Sequence, residues 1–159
     1  MMPNLITLNL EPLNYSNDAK SIIEKFSTYQ ILAKDVNSKD EIFWKKISKA
    51  NIILTRLSYD LDKDLLVKAK NLKFIVSPTT GLNHIDLKFA KKNKIKIISL
   101  KGEYDFLDSI TSTAELTFSL ILELSRFTGR SIEYVKKTGL WKRDKFRGTQ
   151  LNQKKIGII

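Results

Sequence analysis

The chain has no cysteine, which excludes disulfides, thiolate nucleophiles and cysteine-ligated zinc. It has one histidine, His84, so acid–base chemistry has a single imidazole to draw on and a histidine-based metal site is not supported. No run approaches the ~18 uninterrupted apolar residues that a membrane span needs. The start, Met1-Met2-Pro3-Asn4-Leu5-Ile6, lacks the basic, apolar and small-residue segments of a signal peptide, so a cytoplasmic protein is expected. Acidic residues are scarce: 17 Asp and Glu face 28 Lys and Arg, a net charge of +11. Residues 126–155 hold ten basic residues against Glu133 and Asp144, and so most of that excess. They lack the aromatic-and-glycine spacing of an RNA-binding sheet and any helix-turn-helix or zinc-finger pattern. A Lys-, Ile- and Asn-rich composition accounts for the charge, and nucleic-acid binding is not expected.

What is present is enough for a core. The 159 residues are 42% hydrophobic, which suits one domain, or one domain and part of another. Strand-like and helix-like segments alternate over the first hundred residues. Residues 5–10 alternate apolar and polar; Ser16 can cap a helix with Ile22, Ile23 and Phe26 on one face. Residues 30–33 suggest a strand. Ser38 and Glu41 have the spacing of a capping box that opens a helix through Ile47. A buried strand over 51–55 precedes a helix capped by Asp62, with Leu65, Leu66 and Ala69 inward. A strand over 74–77 stops at Pro78, Asp86 caps a short helix over Leu87 and Ala90, and residues 94–100 form a further strand. This alternation predicts a parallel sheet covered on both faces.

After Leu100 the pattern changes. Residues 101–111 read as an irregular loop, and Ser112 with Glu115 as a second capping box. The helix it opens is apolar nearly all round (Ala114, Leu116, Phe118, Leu120, Ile121, Leu122, Leu124), so burial is expected. Its pattern runs on through Ile132 and Tyr134 towards Lys137, with Gly129 as the weak point. Residues 139–152 read as loop and 154–159 as a buried parallel strand. A domain boundary is expected near 100–110. A final strand of this kind leads, in dinucleotide-binding folds, into a glycine-rich pyrophosphate turn. The chain therefore reads as the front half of an enzyme.

Three places can carry chemistry. The turn over 78–86 lies between a strand's carboxyl end and a helix, where open α/β sheets bind ligands. Gly81 there permits a tight turn or close ligand approach, and free amides of Thr80, Gly81 and Leu82 could hold a carboxylate. An ordinary strand-to-helix turn with glycine at positive φ is the alternative. Arg56 ends the preceding buried strand, where a guanidinium could fork onto a carboxylate or simply reach solvent. His84 is either an acid–base group or a half-exposed turn residue. Glu103, Asp105, Asp108 and Glu115 cluster without the spacing of a one-loop cation site, and no metal is expected.

Several of these stretches together resemble the N-terminal half of the D-isomer-specific 2-hydroxyacid dehydrogenases. Leu72-Lys73-Phe74-Ile75-Val76 followed by Gly81-Leu82-Asn83-His84-Ile85-Asp86 is similar to the family's strand and substrate loop. Ser112-Thr113-Ala114-Glu115 resembles the opening of its interdomain helix. Gly139-Leu140-Trp141 and Phe146-Arg147-Gly148-Thr149-Gln150-Leu151 resemble the approach to its cofactor strand, while residues 1–70 fit in pattern only.

The resemblance implies a flavodoxin-like parallel-sheet substrate domain over 1–102, then the interdomain helix and first strand of a truncated Rossmann domain over 103–159. It implies NAD or NADP as cofactor of the full-length enzyme, a small 2-hydroxy or 2-oxo acid as substrate, and a homodimer. Thr80, Gly81, Leu82 and Arg56 would bind substrate, and Ser112 and Thr113 would approach the nicotinamide. The family's glycine-rich turn, catalytic arginine and histidine–glutamate pair have no counterpart here, and His84 does not match the catalytic histidine. The chain alone is therefore expected to be inactive and not to bind the cofactor. The alternatives are a flavodoxin-like binding module without catalysis and, less favoured, a basic nucleic-acid-associated protein. The loop over 102–108 is more acidic than the family pattern suggests.

Overall fold

The computed structural model describes residues 5–34 and 36–158. Strand β1 (Ile6–Asn9) is followed by α1 (Asn17–Glu24), β2 (Thr28–Ile31), α2 (Glu41–Lys49), β3 (Ile52–Leu54), α3 (Lys63–Lys68), β4 (Phe74–Ser77), α4 (Leu87–Lys92) and β5 (Lys96–Ser99). The five strands form one parallel sheet in the order β2-β1-β3-β4-β5. The strand–helix alternation dictates this: parallel neighbours need crossovers, and each helix supplies one. The order reverses beside β1, which places a crevice outside the carboxyl ends of β1 and β3.

The principal core lies on one face. Phe43 and Ile47 of α2, Leu65 and Leu66 of α3 and Ala90 of α4 pack against Leu8, Ile53 and Ile75 of the sheet. Each fully buried large side chain contributes roughly 1.5–3 kcal/mol. The other face is thinner than the expected double cover. Ile23 of α1 packs on Ile52 and Leu54, while Phe74 and Val76 are only partly buried and Ile98 is exposed. The cause is the wiring: α1 alone crosses this face, and α2, α3 and α4 share the other. The alternation in β1 does not mark a wet face either. Thr7 and Asn9 are buried, with Thr7 Oγ1 2.6 Å from Ser27 Oγ and Asn9 Nδ2 donating to Tyr29 OH at 2.8 Å.

Side-chain caps form at Ser16, Asp62 and Asp86, which accept from the amides of Ala19, Leu65 and Phe89. The capping box at Ser38 does not form. Asp40 is the N-cap of α2, and the Ser38 carbonyl instead accepts from Trp44 Nε1 at 2.9 Å. Strand β2 begins before the expected 30–33, since pairing with β1 (Ile6 opposite Thr28) sets its register.

The chain divides into two compact units, Met1–Tyr104 and Asp105–Ile159. The expected loop over 101–111 contains a short helix, α5 (Tyr104–Asp108). Helix α6 (Ser112–Arg126) starts one residue before the expected box: Thr111 is its N-cap, and Thr111 Oγ1 donates to Glu115 Oε1 at 2.6 Å. The single helix expected through Lys137 is two. Phe127 adopts a left-handed φ of 55°, and α7 (Thr128–Thr138) starts anew, with the Glu123 carboxylate accepting from Thr128 Oγ1 and the Gly129 amide. A 3-10 turn (Arg143–Phe146) interrupts the loop expected over 139–152. Burial of α6 is not found. Leu116, Phe118 and Leu124 are exposed, and no described residue of this unit is buried, because the helices among its described residues have no sheet of their own to pack against. The strand expected over 154–159 is likewise unformed across 154–158, since an extended segment needs a neighbouring strand and the described residues of this unit contain none; Ile159 lies outside the described residues.

Candidate functional site

Four of the five buried polar side chains among the described residues gather towards the carboxyl edge of the sheet: Asn9, Thr55, Ser77 and His84. A cleft of about 510 Å³ opens there, lined by Asn9 and Glu11 after β1, Tyr15, Ser16 and Ala19 around the start of α1, Thr55 and Arg56 after β3, Ser77 and Pro78 after β4, and Ser99 and Leu100 after β5. Each group reaches the cleft because a parallel strand ends beneath it.

Arg56 and Glu11 form a reciprocal clasp across this edge. Arg56 Nη2 donates to the carbonyls of Leu13 (2.8 Å) and Glu11 (3.3 Å), tying the β1–α1 loop to the end of β3. The Glu11 carboxylate accepts from Thr55 Oγ1 at 3.1 Å, from the Arg56 amide and from the Ser58 amide at 3.2 Å. Burial pushes the Glu11 carboxyl up, but the bonds from Arg56, Ser58 and Thr55 together hold it below the usual carboxylate value. Tyr59 is pushed up by burial and by the Glu11 charge. Arg56 Nε and Nη1 have no partner among the described residues, so half-buried Arg56 keeps three donors for a ligand.

Beyond Pro78, the turn after β4 lies beside the cleft without lining it. The amides of Thr80, Gly81 and Leu82 make no hydrogen bond among the described residues. Thr80 and Gly81 are exposed, and Leu82 packs partly on the core. Gly81 is not at positive φ, and a Cβ there would meet nothing within 4 Å, so the expectation that the turn itself requires glycine fails. Open space above the residue remains.

His84 is neither half-exposed nor a free acid–base group. It is 8% exposed, and its Nε2 lies 3.2 Å from Ser77 Oγ. Its carbonyl accepts from the Leu61 amide at 2.7 Å, which anchors the far end of the turn. Ser112 and Thr113 belong to the second unit, exposed in the first turn of α6, where the Thr113 carbonyl accepts from Thr117 Oγ1. No glycine-rich turn meets a helix N-terminus among the described residues after Gly148, and Gly157 sits in unpaired chain. Ser112 and Thr113 alone do not fit a dinucleotide.

Sequence reasoning missed Glu11, Ser77 and Thr79. A carboxylate directly after β1 was the one visible signal; its partners lie about 45 residues away in the chain.

A parallel sheet whose strand order reverses beside a cleft at its carboxyl edge defines the class: a domain of the doubly wound α/β type. The chain belongs to the D-isomer specific 2-hydroxyacid dehydrogenase family, whose catalytic-domain model matches residues 8–147. A Staphylococcus aureus protein assigned as a 2-hydroxyacid dehydrogenase is 30% identical over 142 residues, 88% of this chain and 43% of that protein. Among solved structures, a Thermus thermophilus protein superimposes with TM-score 0.76 at 21% identity, covering 92% of this chain and 46% of that one. The D-lactate dehydrogenase of Aquifex aeolicus, solved with NAD and lactic acid, gives TM-score 0.72 at 24% identity, covering 93% and 42%. The chain thus spans less than half the length of these relatives. No helix among the described residues is long and apolar enough to cross a membrane.

Proposed function

We propose that this chain is the substrate-binding part of an oxidoreductase that interconverts a 2-hydroxy acid and its 2-oxo acid with NAD or NADP. The carrying observation is the turn of three unpaired amides, Thr80, Gly81 and Leu82, beneath open space at the carboxyl edge. Amides converging from a turn bind carboxylate oxygens, and the unused fork of Arg56 supplies positive charge at the same edge. The cofactor of such an enzyme supplies hydride chemistry; this chain's residues bind and orient the acid.

On this reading residues 1–102 are the substrate domain, 103–159 open the cofactor domain, and Ser112 and Thr113 of the interdomain helix approach the nicotinamide. The whole enzyme would be a cytoplasmic homodimer. The chain alone would not turn over, since its only histidine is buried against Ser77, and would not bind NAD appreciably, since no glycine-rich turn meets a helix N-terminus among the described residues after Gly148.

The test is a titration of the ¹⁵N-labelled chain with D-lactate, D-glycerate and pyruvate, then with NAD. The Thr80, Gly81 and Leu82 amides should shift saturably with at least one acid, and weaken about tenfold or more in Arg56→Lys, which keeps the charge and loses the fork. NAD should leave the spectrum unchanged. Amides indifferent to every 2-hydroxy and 2-oxo acid would reject the reading, and saturable micromolar NAD binding would reject its second part.

A further inference from the structure

Four groups run in series from the core to the turn. His84 Nε2 is 3.2 Å from Ser77 Oγ, Ser77 Oγ is 2.9 Å from Thr79 Oγ1, and Thr79 Oγ1 is 2.8 Å from the Gly81 carbonyl. The proton order follows from counting. A carbonyl only accepts, so the Thr79 hydroxyl spends its one proton on Gly81. The Ser77 hydroxyl must then donate to Thr79, and Ser77 Oγ must accept from His84. His84 therefore carries its proton on Nε2. Its Nδ1 is buried without a partner among the described residues.

The relay ends on a peptide of the turn that no backbone hydrogen bond holds among the described residues. Leu100 N donates to the Thr79 carbonyl and Leu61 N to the His84 carbonyl, which pins both ends of the turn. Between them, the Gly81–Leu82 peptide has glycine on one side, where rotation is cheap. In a planar trans peptide the carbonyl and the following amide point in opposite directions. Holding the Gly81 carbonyl on Thr79 thus turns the Leu82 amide the other way.

We infer that His84 is a positioning residue: through Ser77 and Thr79 it sets the direction of the Leu82 amide that receives the substrate carboxylate. This rests on the proposed reading of the turn. The sole histidine owes its place in the substrate loop to a donor at Nε2.

The experiment uses the intact chain. With one histidine, the long-range ¹H–¹⁵N spectrum is unambiguous, and it should show the Nε2–H tautomer with an unprotonated Nδ1. Thr79→Val, isosteric and lacking the last donor, and His84→Leu should each move the Leu82 amide resonance, speed its exchange, and weaken acid binding about tenfold, the scale of one hydrogen bond. Amides of β1 and β3 should stay in place. His84→Gln, which restores an N–H near Nε2, should recover most of the affinity. If leucine at position 84 unfolds the domain, Thr79→Val still decides. An Nδ1–H tautomer, or a Leu82 amide unmoved in Thr79→Val, overturns the relay. A wild-type chain blind to all the acids overturns the carboxylate cradle, a separate reading in the same titration.

Discussion

A methyl group added at Gly81 would point into open space, and φ at that residue lies outside the left-handed region, so alanine fits the backbone there. By the usual effect of replacing glycine at a compatible site, Gly81→Ala should leave stability unchanged or raise it by up to ~1 kcal/mol. If a carboxylate approaches the turn amides, the same methyl stands in its way. Thermal unfolding and acid titration of the variant should therefore separate: a melting point equal or higher, and binding at least tenfold weaker. Glu11 behaves differently, because its clasp is structural. Its folded carboxyl titrates below its unfolded value of about 4.3; the contribution is complete above that value and disappears as pH falls through the lower folded one. Denaturant midpoints measured from pH 6 to pH 3 should fall for the wild type, and Glu11→Gln should be less stable at pH 6 with a flatter decline.

At the scale of elements, Gly148 runs close against the end of α6. A Cβ at residue 148 would stand 2.8 Å from Arg126 Cα and nearer still to the Ser125 carbonyl oxygen. The Thr149 amide donates to that same carbonyl at 2.8 Å. Backbone cannot yield as a flexible side chain can, so Gly148→Ala should detach the segment and expose the Thr149 amide to fast hydrogen exchange. Element boundaries were readable where the deciding bond is local. Ser16, Asp62 and Asp86 cap helices whose amides lie three residues away. Ser112 misled because the same acidic partner suits more than one starting residue: Thr111 stands next to it and took Glu115, whereas near Ser38 the helix starts later, with Asp40 as its N-cap. Strand β2 took its limits from β1, across 22 residues of chain, which its own alternation does not encode. The site divides the same way. Arg56 and the Gly81 turn were legible because they sit at strand ends, whereas the Glu11 clasp and the hydrogen bond from the histidine to Ser77 arise only after the sheet has brought distant residues together.

For the whole molecule, stability is concentrated in the first unit. Phe43 is 1% exposed and stacks with Tyr59 at a 6.1 Å ring separation, with Trp44 edge-on at 4.9 Å. Phe43→Ala should cost ~3–5 kcal/mol, a large share of the ~5–15 kcal/mol that holds an ordinary domain together. Circular dichroism should show the variant partly unfolded at 37 °C. The second unit has no comparable residue among the described ones, and its helical signal should be nearly indifferent to that substitution.

The strand order has a consequence for synthesis. β1 leaves the ribosome first yet is an inner strand, and β3, made roughly 45 residues later, is its second neighbour. Once β3 has docked, its far side stays bare until Phe74–Ser77 emerges to cover it. For some twenty residues of translation the nascent chain carries a fully apolar Ile-Ile-Leu edge, open to any other extended segment nearby. That interval is where a folding helper or a neighbouring ribosome's product would compete with β4.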